Sequence, residues 1–92
     1  MIEFEWDDGK NRRNRAKHGV SFEEAKAVFL DRFIQENVDE RFGYREERVL
    51  SVGMTGEGLL AVVNMQREGR RRIISARRAT RAETDDYFQN RS

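Results

Sequence analysis

The chain alternates, turns helical, then alternates again. Ile2, Phe4 and Trp6 fall on one side of residues 2–6 and Glu3 and Glu5 on the other, the period of two expected of a half-buried strand. Asp7-Asp8-Gly9 turns the chain and offers an aspartate cap to a helix from Lys10 to His18, which Gly19 ends. Ala16 is the one apolar residue of that helix, while Lys10, Arg12, Arg13, Arg15 and Lys17 are basic. A helix with no apolar stripe gains little from burial, so its charge is assigned to a partner. Ser21 and Glu24 form a capping box ahead of Phe22, Ala25, Val28 and Phe29, whose helical spacing turns them to the core. Asp31-Arg32 closes this second helix.

From there the period is two. Strands are predicted over 33–38, 47–54, 59–66 and 70–77, with turns at Asp39, Glu40 and Gly43, at Thr55-Gly56-Glu57-Gly58 and at Glu68-Gly69. The run 59–66 is the most apolar and belongs at the centre of the sheet. Thr80 with Glu83 is a second capping box, opening a helix through Asp86, Tyr87 and Phe88. The predicted fold is α+β: one compact domain over residues 1–92, order β-α-α-β-β-β-β-α, with an antiparallel sheet.

Composition narrows the class of protein. Charged residues make up 38% and apolar residues 37%, and the net charge is +1. The balance hides an asymmetry, since residues 1–46 carry −2 and residues 47–92 carry +3. With no cysteine, disulfides and thiolate zinc sites are excluded, and a single histidine leaves little to build another zinc site. No signal peptide and no apolar run of membrane-spanning length is present, so a cytoplasmic protein away from the membrane is expected. Neither a Gly-rich phosphate loop, nor paired carboxylates for two metals, nor a base-reading second helix is found. No cofactor and no metal is expected.

Two basic segments stand out. Residues 67–81 hold seven arginines and one acid. Arginine offers a planar fork of donors that fits phosphate oxygens in pairs. Strand alternation puts Arg71, Ser75 and Arg77 on the face of Ile73, and Arg72 on the face of Ile74 and Ala76. Arg77 and Arg78 adjoin the N-cap Thr80, where free helix N–H groups attract anions; the alternative is an edge strand protected by charge. In the first helix Lys10, Asn14, Lys17 and His18 share a stripe. A histidine there is suited to proton transfer, or to capping the last turn as a cation. Among the aromatics, Trp6, Tyr44 and Tyr87 are able to stack bases, although most aromatics in a chain this small are core; the Tyr87 hydroxyl either meets a phosphate or stays buried.

These residues resemble a known family. Trp6-Asp7, Asn14, the run Lys17-His18-Gly19-Val20-Ser21-Phe22-Glu23-Glu24-Ala25, Val28-Phe29 and Asp31 are similar to the BrnT family of type II toxins. So are Glu47-Arg48, Val52-Gly53, the run Arg72-Ile73-Ile74-Ser75-Ala76-Arg77-Arg78-Ala79-Thr80, Glu83 and Tyr87, over essentially the whole chain and in order. The resemblance implies a RelE-like fold, RNA cleavage that slows translation, and neutralisation by a BrnA-like antitoxin. It further implies that the toxin–antitoxin complex, as a heterotetramer, binds operator DNA through the antitoxin.

Residues and resemblance lead together to a metal-independent endoribonuclease in which the 2′-hydroxyl attacks the neighbouring phosphate. The expected catalytic residues are Arg77 on the scissile phosphate, His18 or Lys17 on the proton, and Tyr87 assisting. Arg72, Arg78, Lys10, Asn14 and Arg13 are expected on RNA phosphates. The rival readings are a non-catalytic RNA-binding module and a domain whose arginines meet an acidic protein partner.

Overall fold

The computed structural model describes residues 2–39 and 47–90. In chain order they form β1 (Phe4–Glu5), α1 (Asp8–His18), α2 (Phe22–Ala25) running into a 3₁₀ turn (Lys26–Leu30), β2 (Gln35–Asp39), β3 (Arg48–Thr55), β4 (Gly58–Arg67), β5 (Arg70–Arg78) and α3 (Arg81–Gln89). The predicted order is therefore the observed one, and the expected turn at Glu40 and Gly43 lies outside the described residues.

Local chemistry sets the boundaries. Asp7 caps α1 by accepting the Lys10 amide at 2.9 Å, and Gly19 closes it in the left-handed region at φ +71°, which glycine adopts without strain. Both predicted capping boxes are present, Ser21 with Glu24 and Thr80 with Glu83. The second helix is shorter than its apolar spacing predicted, because after Ala25 it tightens into the 3₁₀ turn. That turn lies directly on β3: a Cβ on Gly53 would sit 2.9 Å from both Val28 Cγ1 and Val28 O. Only glycine permits so close an approach of the two backbones.

The sheet runs β1-β5-β4-β3-β2, so the apolar β4 is central. Strands β2 to β5 form an antiparallel meander, but β1 lies parallel to β5, pairing Phe4 with Arg71 and Glu5 with Arg72. The sheet is thus mixed rather than antiparallel. Alternation in residues 2–6 reveals which side chains are buried, but it carries no information about a partner strand more than sixty residues away.

A bulge corrects the expected faces of β5. Val63 pairs with Ser75 and Asn64 with Ile73, leaving Ile74 as the extra residue. The alternation flips there. Arg72, Ser75 and Arg77 share one face, while Arg71, Ile73, Ala76 and Arg78 share the other. On the second face Ile73 and Ala76 join Leu60 and Val62 beneath Val20, Phe22, Ala25 and Val28 to form the main core, with Phe4, Trp6, Phe29 and Ile34 at its margin. Burial of each large side chain there stabilises by about 1.5–3 kcal/mol. A smaller core on the first face packs Tyr87 of α3 on Val52 and Ala61.

Candidate active site

Helix α1 buries no apolar side chain among its residues, yet it is firmly placed. Two asparagines one turn apart do the work. Asn14 is buried, donating to Val20 O at 2.9 Å and Ala76 O at 2.7 Å and accepting the Ala76 amide at 3.1 Å. Because β1 pairs with β5 only as far as Arg72, the Asn14 amide stands in for a neighbouring strand beside Ala76. Asn11 accepts the Phe22 amide at 2.9 Å and donates to Glu23 at 2.8 Å, tying α1 to the start of α2. Asn14, expected on a phosphate, is therefore a structural clamp whose donors are both spent. Asn11 was not singled out from the sequence; a polar residue at that spacing on an otherwise charged helix was the available signal.

With α1 held against the edge of β5, its cations line a shallow cleft of about 220 Å³ together with Ile74 and Ser75. Lys10, Asn14, Lys17 and His18, predicted to share a stripe, all line it, and Arg13 joins them. Near the start of α1 the cations are balanced by the cap. The Asp7 carboxyl is held below its usual range first by the Lys10 amide it accepts, with the Arg13 and Lys10 charges adding to this against its desolvation. At the other end, Lys17 and His18 form no ion pair among the described residues. Lys17 and His18 thus line the cleft opposite Ile74 and Ser75 with no carboxylate among its lining residues.

The arginines of β5 present the opposite picture. Arg77 grips Glu83 with two parallel bonds of 2.7 and 3.0 Å, and Glu83 also accepts the Thr80 amide at 2.8 Å. The Arg77 bonds, supported by Thr80 and opposed by partial burial, pull the Glu83 carboxyl down to about 2. Arg72 donates to Glu5 at 2.7 Å, Arg70 lies 3.5 Å from Glu3, and Arg78 donates to Glu57 O at 2.7 Å. Each arginine expected on RNA thus donates to an acceptor of the protein itself, Arg77 through both arms of its fork and Arg72 and Arg78 through one.

Tyr87 is fully buried and its hydroxyl donates to Asp31. Asp31 also accepts the Phe33 amide at 2.9 Å and the Met54 amide at 2.8 Å, so it fastens the 3₁₀ turn, β3 and α3 together. Of the two outcomes open for the Tyr87 hydroxyl, the structure takes burial. Trp6 packs edge-on to Phe22 with the Lys26 ammonium 5.9 Å from its ring, and Tyr44 lies outside the described residues. A polar network under the main core was not foreseen: Ser51 donates to Glu36 at 2.7 Å, and Asn64 donates to Ser51 at 3.0 Å and accepts from Arg71 at 2.9 Å. Among the described residues no three His, Asp or Glu side chains gather into a metal-holding group, and no helix is long and apolar enough to cross a membrane.

The family model described as ribonuclease toxin, BrnT, of type II toxin–antitoxin system matches residues 6–83. The chain belongs to the BrnT family. A comparison with curated proteins found no match. The BrnT match begins at Trp6 and ends at Glu83, so it takes in α1, the cleft, the bulge of β5 and both members of the Arg77–Glu83 pair. As a BrnT ribonuclease toxin of a type II system, the protein acts on RNA and has an antitoxin for a partner.

Proposed function

We propose that this toxin is a metal-independent endoribonuclease whose scissile phosphate sits in the cleft between α1 and β5. The observation that supports this most is the contrast in pairing: the β5 arginines are bound internally, whereas Lys17 and His18 face the cleft with no carboxylate partner among the described residues. Lys10, Arg13 and Lys17 would neutralise the backbone and the charge that builds on phosphorus in the transition state. Cations in such number disfavour a divalent ion in the same place. His18, or alternatively Lys17 as its neutral amine, takes the proton of the 2′-hydroxyl as its oxygen bonds to phosphorus. The bond from phosphorus to the 5′-oxygen breaks, that oxygen receives the proton back from the same group, and the product ends in a 2′,3′-cyclic phosphate. Positioned acid–base help contributes about 10²–10⁴-fold. Arg77 would contact a flanking phosphate by giving up Glu83, whereas Arg72 and Arg78 would use the arm of the fork turned away from their present acceptors.

Within this reading the protein works in the cytoplasm, slows translation by cutting RNA, and is neutralised by a BrnA-like antitoxin through which a heterotetrameric complex reaches operator DNA. The test of the chemistry is a long RNA incubated with the toxin in excess EDTA. Fragments with 2′,3′-cyclic phosphate ends are expected. RNA that is shifted on a gel yet stays whole would replace the enzyme with an RNA-binding module.

A further inference from the structure

Ser75 lines the cleft on its strand side. Its neighbourhood singles it out. It lies one residue past the bulge at Ile74, and its hydroxyl has no hydrogen-bond partner among the described residues, although it is half-buried against the cations of α1. The adjoining Ala76 is held on both its N–H and its C=O by Asn14, so Ser75 is anchored at a fixed position relative to Lys17 and His18. A bulge re-aims the side chain that follows it. Without the bulge, alternation from the buried Ile73 would carry Ser75 to the core face; with it, Ala76 takes the core position and Ser75 reaches the cleft.

Resting on the reading of the cleft as the ribonuclease site, we propose that the Ser75 hydroxyl is a catalytic residue that donates a hydrogen bond to a non-bridging oxygen of the scissile phosphate. The cations of α1 supply charge, which attracts a phosphate without orienting it strongly. A hydroxyl fixed on the rigid strand supplies direction from the opposite wall. The bond strengthens as negative charge accumulates on that oxygen, so the hydroxyl acts on the transition state more than on the bound substrate.

The experiment compares Ser75→Ala, Ser75→Thr and Lys17→Ala with the unaltered toxin, each followed by single-substrate RNA cleavage and by thermal unfolding. Ser75→Ala is expected to lower kcat about 10- to 100-fold with KM nearly unchanged, the signature of a bond made in the transition state. Its Tm should stay within about 2 °C, because the hydroxyl has no hydrogen-bond partner among the described residues. Ser75→Thr, which keeps a hydroxyl on a residue suited to a strand, should restore most of the rate. If Ser75→Ala cleaves at the original rate while Lys17→Ala does not, the role of Ser75 is overturned and the cleft stands. If Ser75→Ala and a Lys17→Ala/His18→Ala double variant both cleave at the original rate, the cleft itself is refuted. A slow Ser75→Ala with a lowered Tm would make the residue structural and also overturn the proposal.

Discussion

Replacing Arg77 by alanine removes both guanidinium bonds to Glu83 and leaves a carboxylate facing the start of α3 alone. The structure bounds the cost. The Arg77 bonds hold the Glu83 carboxyl down to about 2 in the fold, against an ordinary 4.5. At 1.36 kcal/mol per unit that interval would approach about 3.4 kcal/mol. Both side chains keep contact with solvent, Arg77 at 36% exposure and Glu83 at 19%, so screening reduces the coupling to about 1–2 kcal/mol. Because the folded value lies below the unfolded one, the stabilisation is complete above the ordinary carboxylate range and is lost as pH falls toward 2. Roughly 40% of it should survive at pH 3. Arg77→Ala, Glu83→Ala and the double variant, unfolded in urea at pH 7 and pH 3, form a cycle that cancels the separate loss of the α3 cap. Arg77→Ala alone should lower the Tm by roughly 4–16 °C. A coupling below about 0.3 kcal/mol at pH 7, or one that does not shrink at pH 3, would refute the assignment of this pair as a clasp of the fold.

Three further substitutions read other parts of the scaffold. Asn14→Ala strands the Ala76 amide and two carbonyls and should destabilise by about 2–4 kcal/mol in urea unfolding. Tyr87→Phe loses the bond to Asp31 and should cost about 1–2 kcal/mol, while RNA cleavage by the folded fraction stays unchanged, since the hydroxyl is buried away from the cleft. Gly53→Ala forces a methyl against Val28 and should cost about 1–3 kcal/mol, read as a drop in Tm.

Much of the fold was legible because its signals are local. Capping boxes at Ser21 and Thr80, a glycine at 19 and the change of hydrophobic period from 3.6 to 2 are each written within a few residues. What escaped depends on distant partners. The parallel pairing of Phe4 and Glu5 with Arg71 and Arg72 and the close approach of Val28 to Gly53 have no local trace. The bulge at Ile74 is a single extra residue, yet it inverted the expected faces of Ser75 and Arg77.

The stripe of Lys10, Asn14, Lys17 and His18 came through as a lining surface because helical spacing is regular. The arginine-rich segment has partners in the fold that its own sequence does not show. A run of like charges looks available in sequence, but Glu5, Glu83 and the Glu57 carbonyl come from elsewhere to pair with it. The sequence assigns the charge of α1 to a partner but does not show what fixes the helix, which Asn11 and Asn14 hold by hydrogen bonds to the backbone.

The most direct test of the α1–β5 cleft as the catalytic centre sets two changes side by side in the EDTA cleavage assay, each made with a thermal unfolding curve at the assay temperature. Lys17→Ala combined with His18→Ala is expected to abolish detectable cyclic-phosphate ends while the protein stays folded, and the Arg77→Ala/Glu83→Ala double variant, corrected for its folded fraction, is expected still to cut. Cleavage that survives loss of Lys17 and His18 but disappears with Arg77 would contradict this and move the centre to β5.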